Sequence, residues 1–335
     1  MSIIPVEVPT GAIRFNTDSS KMECFNGTKW MQVAVSSPDL DGGARGIFAG
    51  GSPAINTIDY FTISTAGDAT DFGDLATARY LHGACASSTR AVFGGGNIPE
   101  SNNMEYITIP STGNGTSFGN LTASKRNLCG GGNKTRGIFS GGLEPGSSYQ
   151  DDIDYITIAT TGNANDFGNL TVARLDAETV SNGSRMVTYA GSLPSPTNGT
   201  NTMDYITIAS TGNAQDFGDA QHLNNGHAAS GDSSTRGVFM GGRNQPSPNN
   251  ISDIDYITIA TLGNAINFGD LTAAKRFVEG TSDKIRALCC GGYTSSNQDV
   301  IEYVTIATQG NGVDFGNLQT STFSAAATSN GHGGL

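Results

Sequence analysis

The chain is poor in the residues that most catalytic and metal sites require. It has only four histidines, and none of them has a zinc-motif spacing such as HExxH; they are His82, His222, His227 and His332. The five cysteines are odd in number and lack a CxxC pair, which argues against a zinc site and a disulfide framework. No nucleophile–base–acid set, phosphate loop or dinucleotide fingerprint is present. We therefore expect no enzyme activity, no metal and no cofactor.

Positive charge and long apolar runs are also scarce. The 18 Lys and Arg residues face 30 Asp and Glu residues, so the formal net charge is −12. Nucleic-acid binding depends on cations against phosphate, and this balance opposes it. No apolar run is long enough for a transmembrane helix, and no basic-apolar leader opens the chain. The sequence predicts a protein that is neither secreted nor inserted in a membrane and that binds no nucleic acid.

An internal repeat occupies most of the chain. Six times, an arginine leads into a short apolar run, and a loop, an aliphatic-acid-tyrosine segment and a Phe-Gly pair follow. The intervals between these arginines run from 45 to 51 residues, and the arginines are Arg45, Arg90, Arg136, Arg185, Arg236 and Arg286. From the tyrosine of this segment to the phenylalanine of the Phe-Gly pair there are 12 residues in every copy, as from Tyr60 to Phe72. A period of this length indicates a repeat architecture.

One copy suffices to predict the fold of the repeat. In the third copy, 136–142 is apolar and ends in a glycine pair, 154–158 is β-branched and aromatic, and 166–170 is a short final strand. A stretch of small residues up to Ser184 supplies a fourth strand, and no segment has a helical period. A four-stranded sheet repeated around an axis is a β-propeller blade. A β-solenoid is the main alternative, but its coils are usually shorter.

The glycine pair, the tyrosine after it and the later aromatic residue resemble the kelch repeat of β-propellers. Kelch blades carry Trp at the last position, where this chain has Phe. The resemblance covers roughly residues 45–335 and implies a propeller. The segment 323–328 matches the inner strand at 82–87, whereas the first copy has no inner strand before Arg45. We therefore expect an all-β, six-bladed, kelch-like propeller closed by the C-terminal strand, which also removes an exposed sheet edge.

Residues 1–40 do not repeat and predict a separate N-terminal β-meander. Strand-like segments flank the Asn26-Gly27 hairpin signal, and a linker composition follows at 34–44. So small a sheet is marginal alone, so it must dock on the rest of the chain, a sister subunit or another protein. We predict domains at 1–40 and 41–335, with Phe15, Phe25 and Trp30 as residues of the anchoring and oligomerisation module.

The amino-acid sequence of residues 11–16 and 21–30 resembles a short module of tail-fibre and other virion proteins of tailed bacteriophages, with marine cyanophages as the nearest source. The resemblance implies a component of the virion, assembled in the host cytoplasm. It implies other virion proteins as partners and a homo-oligomer.

Length variation between copies falls in the loop after the glycine pair. Recognition usually uses variable loops on a rigid frame, whereas loops also tolerate drift without function. We expect all six loops on one face, where a host-surface glycan or protein could bind. The candidate binding residues are Asn102, Tyr149, Gln150, Asn201, Arg243, Asn244, Asn249 and Tyr293.

Other repeated polar groups have a structural interpretation. The six arginines recur at one scaffold position, and we expect them to form hydrogen bonds between blades or to backbone. Asp/Asn-rich turns such as 162–166 lack the ligand alternation of a calcium loop, so turn chemistry is favoured. His82 and His227 fall on comparable inner strands and could face the channel, although a structural role is the default.

These expectations lead to a non-enzymatic virion protein of tail-fibre or capsid-fibre type that displays a β-propeller, with host-surface binding as an extension. The alternative is a decoration or tail-assembly protein with a purely structural propeller. A glycan-active enzyme is the third and least supported hypothesis.

Overall fold

The computed structural model describes residues 8–16, 21–32, 44–195, 198–225, 229–245 and 249–335. The chain divides into two compact units, residues 1–40 and 41–335, and each is described by itself. Within the described ranges there are 31 strands and no α-helix, so the predicted all-β class is confirmed. No helix of membrane-spanning length and apolarity occurs in those ranges either. Most of the predicted linker at 34–44 lies outside the described residues.

The N-terminal unit is a three-stranded antiparallel sheet in the order β1–β2–β3. Its strands are β1 (Ile13–Asn16), β2 (Lys21–Phe25) and β3 (Trp30–Gln32). The Asn26 side chain accepts hydrogen bonds from the backbone amides of Thr28 and Lys29, which stabilises the hairpin predicted between β2 and β3.

The second unit holds the remaining strands, which belong to the repeats. Their bounds are β4 Arg45–Ala49, β5 Ile55–Thr62, β6 Thr70–Arg79, β7 Gly83–Ala86, β8 Arg90–Gly94, β9 Asn103–Thr108, β10 Thr116–Asn120, β11 Cys129–Gly132, β12 Arg136–Ser140, β13 Leu143–Glu144, β14 Ser148–Tyr149, β15 Asp152–Thr157, β16 Asn165–Asn169, β17 Glu178–Ser181, β18 Arg185–Gly191, β19 Thr200–Thr207, β20 Gln215–Asn225, β21 Ala229–Asp232, β22 Arg236–Met240, β23 Arg243–Asn244, β24 Asn249–Asn250, β25 Asp253–Thr258, β26 Ile266–Asp270, β27 Glu279–Ser282, β28 Arg286–Cys290, β29 Gln298–Thr305, β30 Val313–Thr322 and β31 Ala326–Ser329.

These strands form six antiparallel sheets, one for each repeat. From the first to the sixth, their strand orders are β31–β4–β5–β6, β7–β8–β9–β10, β11–β12–β15–β16, β17–β18–β19–β20, β21–β22–β25–β26 and β27–β28–β29–β30. Strands β23 and β24 extend the fourth sheet, and β13 pairs with β14 as a separate hairpin. We call the first strand in each order the inner strand and the last the outer strand.

The C-terminal strand completes the first sheet, as the phase of the repeats predicts. Ala326 to Ser329 of β31 pair antiparallel with Ala49 to Gly46 of β4. Each inner strand also contacts the inner strand of the next sheet, in the order β7, β11, β17, β21, β27 and β31, and β31 in turn contacts β7. The contacts between inner strands therefore form a closed cycle.

Apolar side chains are buried between neighbouring sheets rather than in one central core. Each of six clusters contains residues of two sheets that follow one another, and one cluster joins the sixth sheet to the first through Leu288 and Phe61. Both faces of a sheet are thus covered. This explains why apolar and polar residues do not alternate cleanly along strands such as 153–158.

The six repeat arginines link each sheet to the next. Arg286 Nη1 donates to the backbone carbonyl of Ile63 at 3.0 Å, and the guanidinium lies 4.6 Å from the ring centroid of Tyr303 in its own sheet. The other five arginines make the same two contacts, with Nη1–O distances of 2.7–3.0 Å and ring distances of 4.2–5.0 Å. Hydrogen bonds between sheets and to backbone, both predicted for these arginines, are confirmed.

The Asp/Asn-rich turns cover the outer strand of the preceding sheet. In the third repeat, Gly162 N donates to Phe118 O at 2.8 Å, and Asn163 Oδ1 accepts from Asn120 N at 3.1 Å. The equivalent amide-to-side-chain bond recurs at the other five junctions, with Asp68 as the acceptor at the closing one. These side chains accept hydrogen bonds from backbone amides, which is the turn chemistry that the sequence predicts.

Candidate functional site: the loop face

The described inner strands lie close together. Glycines let these strands approach closely: a Cβ on Gly130 would collide with the backbone of Ala84, and one on Gly280 with the backbone of Ser230. Two cavities lined by described residues of these strands measure about 50 and 30 Å³. Ligand pockets usually measure about 300–1,000 Å³, so these cavities fit a few waters and no sugar ring.

The histidines are dispersed through the second unit. His82 is 3 % exposed, and burial, followed by the charge of Arg79, holds its pKa well below 6.5. His222 pairs with Asp253 at 2.6 Å, and His332 Nε2 lies 3.0 Å from Ala86 O. His227 lies outside the described residues. Among the described residues, no group of three or more His, Cys, Asp or Glu side chains could hold a metal.

The acids of the aliphatic-acid-tyrosine segments are buried at the junctions between sheets. At four junctions they pair with a cation of the preceding repeat: Arg79 with Glu105, Lys125 with Asp154, Arg174 with Asp204, and Lys275 with Glu302. At the other two junctions, Asp255 accepts from the Tyr189 hydroxyl at 2.8 Å and Asp59 accepts from Gln319 N at 3.1 Å. Burial is the main cause that raises the pKa of both Asp59 and Asp255. The repeated acids therefore belong to the scaffold.

The register of the inner hairpins places the variable loops at one end of each sheet. The first residue of an inner strand pairs with the last residue of the second strand, as Cys129 does with Ser140, except in the fourth sheet, where Glu178 pairs with Tyr189, two residues before the end of β18. The loop after the glycine pair and the segment before the inner strand therefore meet at the same end of the sheet. We call the set of these ends the loop face.

Six backbone pairs, one in each sheet, lie at the loop face. In each sheet, the residue that follows the glycine pair (Ala190-Gly191 in the fourth repeat) bridges to the residue three or four positions before the inner strand. The pairs are Ser52 with Phe323, Asn97 with Tyr80, Leu143 with Arg126, Ser192 with Leu175, Arg243 with Asn225, and Tyr293 with Arg276. The backbone pairing is regular, whereas the combination of side chains varies from sheet to sheet.

The eight candidate residues belong to five sheets, and one of them, Asn201, lies in strand β19 and not in the loop where it was predicted. Asn102 and Asn201 are half-buried in the second and fourth repeats. Tyr149 lies in the hairpin of the third repeat, where Gln150 Nε2 donates to Ser148. The last four belong to the fifth and sixth repeats: Arg243, Asn244, Asn249 and Tyr293.

Arg243 and Tyr293 belong to a group of cations and aromatic rings that we call the Arg276 cluster: Arg243, Arg276, Phe277, Tyr293 and Phe323. The Arg276 guanidinium lies 5.1 Å from the ring centroid of Phe277 and 5.2 Å from that of Tyr293. The Phe323 ring lies 5.8 Å from Phe277 and 5.5 Å from Tyr293. All five side chains are half-buried, so each one keeps an exposed part.

Sequence reasoning missed three members of this cluster: Arg276, Phe277 and Phe323. They lie between an outer strand and the next inner strand, in a segment whose length is the same in every repeat except the fourth, which has one residue more. A search for variable length therefore selects the loops and passes over this segment. The repeated Lys-Arg pair at 125–126 and 275–276 is a signal that could have found Arg276.

The apolar side chains of the N-terminal sheet are concentrated on one face. The register places Ile13, Phe15, Met22 and Met31 on the same side, and they are 65, 58, 43 and 45 % exposed. Phe25 and Trp30 lie on the other side, 5.4 Å apart, with the Arg14 guanidinium 4.1 Å from the Trp30 ring. The predicted anchoring residues are therefore divided between two faces.

Comparison with known proteins gives no family model that matches this chain and no curated protein that is significantly similar to it.

Proposed function

We propose that this protein is a structural component of a tailed-phage particle that displays a six-bladed β-propeller. The N-terminal sheet attaches it to other virion proteins and forms a homo-oligomer, and the loop face of the propeller binds a host-surface glycan or protein. The resemblance of residues 11–16 and 21–30 to phage tail-fibre modules supports the setting in the virion.

Three sets of contacts support a closed propeller. The contacts between inner strands run in a cycle, and apolar clusters lie at all six junctions. The junction of the sixth and first sheets has the same two hydrogen bonds as the other five junctions. Here they run from Arg286 to the carbonyl of Ile63 and from Asn317 N to Asp68 Oδ1. A ring of six sheets is the simplest arrangement that satisfies all of these contacts.

The observation that carries the proposed binding role is the contrast between the two ends of the sheets. At the arginine end, the same Arg, Tyr and Ile contacts recur six times. At the loop face, the backbone pairs recur, but the combination of two residues that forms the pair is different in each sheet. A scaffold contact repeats with the fold, whereas a surface shaped for one partner does not.

The exposed apolar side of the N-terminal sheet supports an attachment role. Four large apolar side chains on one side of a small sheet form a patch of the kind that marks interaction sites. The same observation also favours the alternative of a decoration or tail-assembly protein, in which the propeller only makes contacts within the virion.

Two measurements test the proposal. Mass spectrometry of gradient-purified particles should detect the protein in stoichiometric amounts, and its absence would remove the virion assignment. The purified full chain should bind susceptible host cells, and Tyr293→Ala should weaken this binding. Leu262→Ala, an exposed apolar site in a turn at the arginine end, serves as the matched control and should bind normally. Equal binding by both variants would remove the loop face from the proposal.

A further inference from the structure

The Arg276 cluster contains two guanidinium groups without an acidic partner. Neither Arg243 nor Arg276 has a carboxylate within ion-pair distance among the described residues. The buried Nε atoms of both side chains also lack a hydrogen-bond partner there. Burial is the largest cause that lowers the pKa of Arg276, and the positive charge of Arg243 is the second. Two like charges are thus held together in a chain whose net charge is −12.

The second repeat shows how the scaffold neutralises a cation at the same position. Arg126 follows Lys125 as Arg276 follows Lys275. The backbones of Arg126 and Arg276 bridge Leu143 and Tyr293, which each follow the glycine pair of the next repeat. Arg126 forms an ion pair with Glu100, in the loop of the same repeat. Arg276 Nη1 instead donates, at 3.0 Å, to the neutral side chain of Asn250, in the corresponding loop of the fifth repeat.

Asn250 also fixes the geometry of the two arginines. It pairs with Arg243 across the β23–β24 hairpin, and its Nδ2 donates to the carbonyl of Tyr293 at 3.1 Å. One neutral residue therefore joins Arg243, Arg276 and Tyr293. Holding two guanidinium groups in place before an anion arrives reduces the entropy lost on binding.

From this geometry we infer that the Arg276 cluster binds an acidic polysaccharide, with a carboxylate or sulfate group on Arg243 and Arg276 and a sugar ring against Tyr293 and Phe323. Guanidinium groups form paired hydrogen bonds with the oxygens of such anions. The C–H face of a sugar ring is apolar and packs on aromatic rings. The inference rests on the proposed function, because it names the ligand class for the same loop face.

The test measures binding of the purified full chain to three soluble polymers at low salt: polygalacturonate, dextran sulfate and neutral dextran. Affinity electrophoresis should show retardation by one or both acidic polymers and none by dextran. Retardation by polygalacturonate alone identifies a carboxylate ligand, and by dextran sulfate alone a sulfate ligand. Equal retardation by dextran, or none by either acidic polymer, overturns the inference.

Three variants locate the site. Arg243→Gln and Arg276→Gln should each weaken binding about tenfold, the usual effect of losing a hydrogen bond to a charged group. Asn250→Glu supplies the acid that Arg126 already has and should abolish binding, without deleting either arginine. Arg126→Gln is the matched control and should bind normally. Unchanged binding by Arg243→Gln and Asn250→Glu, or equal loss in the Arg126 control, would contradict the inference.

The result can be separated from that for the proposed function. If the full chain binds host cells but this binding is the same in Asn250→Glu, the loop face remains a binding surface and the acidic-polysaccharide site is excluded. If the protein is absent from particles but binds acidic polymers through the two arginines, the site stands and the virion role falls.

Discussion

The buried ion pair of Arg174 and Asp204 allows a quantitative test of the junctions between sheets. Both side chains are fully buried, with Arg174 Nη2 and Asp204 Oδ2 2.9 Å apart. Asp204 also accepts two hydrogen bonds from Thr171, whereas Nε and Nη1 of Arg174 have no partner among the described residues. The carboxylate is therefore better satisfied than the guanidinium.

Arg174→Met should destabilise the fold by about 3–5 kcal/mol, because it leaves the Asp204 carboxylate buried without a cation. The double variant Arg174→Met/Asp204→Asn removes both charges. The amide that replaces the Asp204 carboxylate keeps one of the two bonds from Thr171, so we expect a loss of about 1 kcal/mol relative to the native chain. Part of this loss is offset because a desolvated guanidinium with two unsatisfied nitrogens is also removed.

The measurement is guanidinium chloride unfolding of the full chain, followed by far-ultraviolet circular dichroism for the native protein and the two variants. Lys134→Met, at an exposed position, is the control and should change the free energy of unfolding by less than about 0.5 kcal/mol. A double variant as unstable as Arg174→Met would refute the reasoning, because the cost would then come from lost packing and not from an unpaired charge.

Three further predictions concern the contacts between neighbouring sheets. Arg286→Gln removes the hydrogen bond to Ile63 that joins the sixth sheet to the first, so it should lower stability by about 2 kcal/mol in thermal unfolding; no change would indicate that this junction is open. Asp59→Asn should be more stable than the native chain, and the difference in free energy of unfolding should grow as pH rises from about 4 through the raised pKa of Asp59. In that range the folded native chain binds more protons than the unfolded chain, so its stability falls as pH rises. A difference in unfolding free energy that does not depend on pH would contradict this. Gly280→Ala should abolish folding or destabilise the chain by several kcal/mol, because the added Cβ would overlap the backbone of Ser230. Gly162→Ala is the control and should be tolerated, because the space around Gly162 is open. Soluble yield and melting temperature measure both effects.

The invariant spacings explain why the sheets could be predicted from the sequence. A constant 12 residues between tyrosine and phenylalanine requires the same hairpin in every repeat, and the structure has the aromatic pair in edge contact each time, with centroids 5.9–6.1 Å apart. The pairing of 326–329 with β4 followed from phase alone. The aromatic contact depends on a distance within one chain segment and the strand pairing on the phase of the repeats, and a sequence displays both directly.

The partners of the buried acids and the Arg276 cluster could not be read in this way. Asp204 forms an ion pair with Arg174 of the preceding repeat. Arg276 donates a hydrogen bond to Asn250, whose loop differs in length from the loop that contains Glu100. Both contacts cross between sheets, so they depend on how the repeats pack. Variable loop length led to Arg243 and Tyr293, but it gave no sign of residues in segments of nearly constant length.

The position of Arg243 depends on a scaffold residue that differs between the repeats. At four junctions, a Lys or Arg lies four residues after the leucine that follows the Phe-Gly pair, but the fourth repeat has Asn224 at the equivalent position. A neutral side chain can accept a hydrogen bond, and Asn224 Oδ1 accepts one from Arg243 N at 2.8 Å. Strand β20 continues to Asn225 and pairs with β23, which fixes Arg243 at the loop face. Without a cation at this position, Asp255 accepts a hydrogen bond from the Tyr189 hydroxyl, and Asn224 holds the backbone of Arg243. Because Arg243 is one of the two arginines that we propose to bind an acidic polysaccharide, Asn224→Lys should displace Arg243 and weaken retention by acidic polymers.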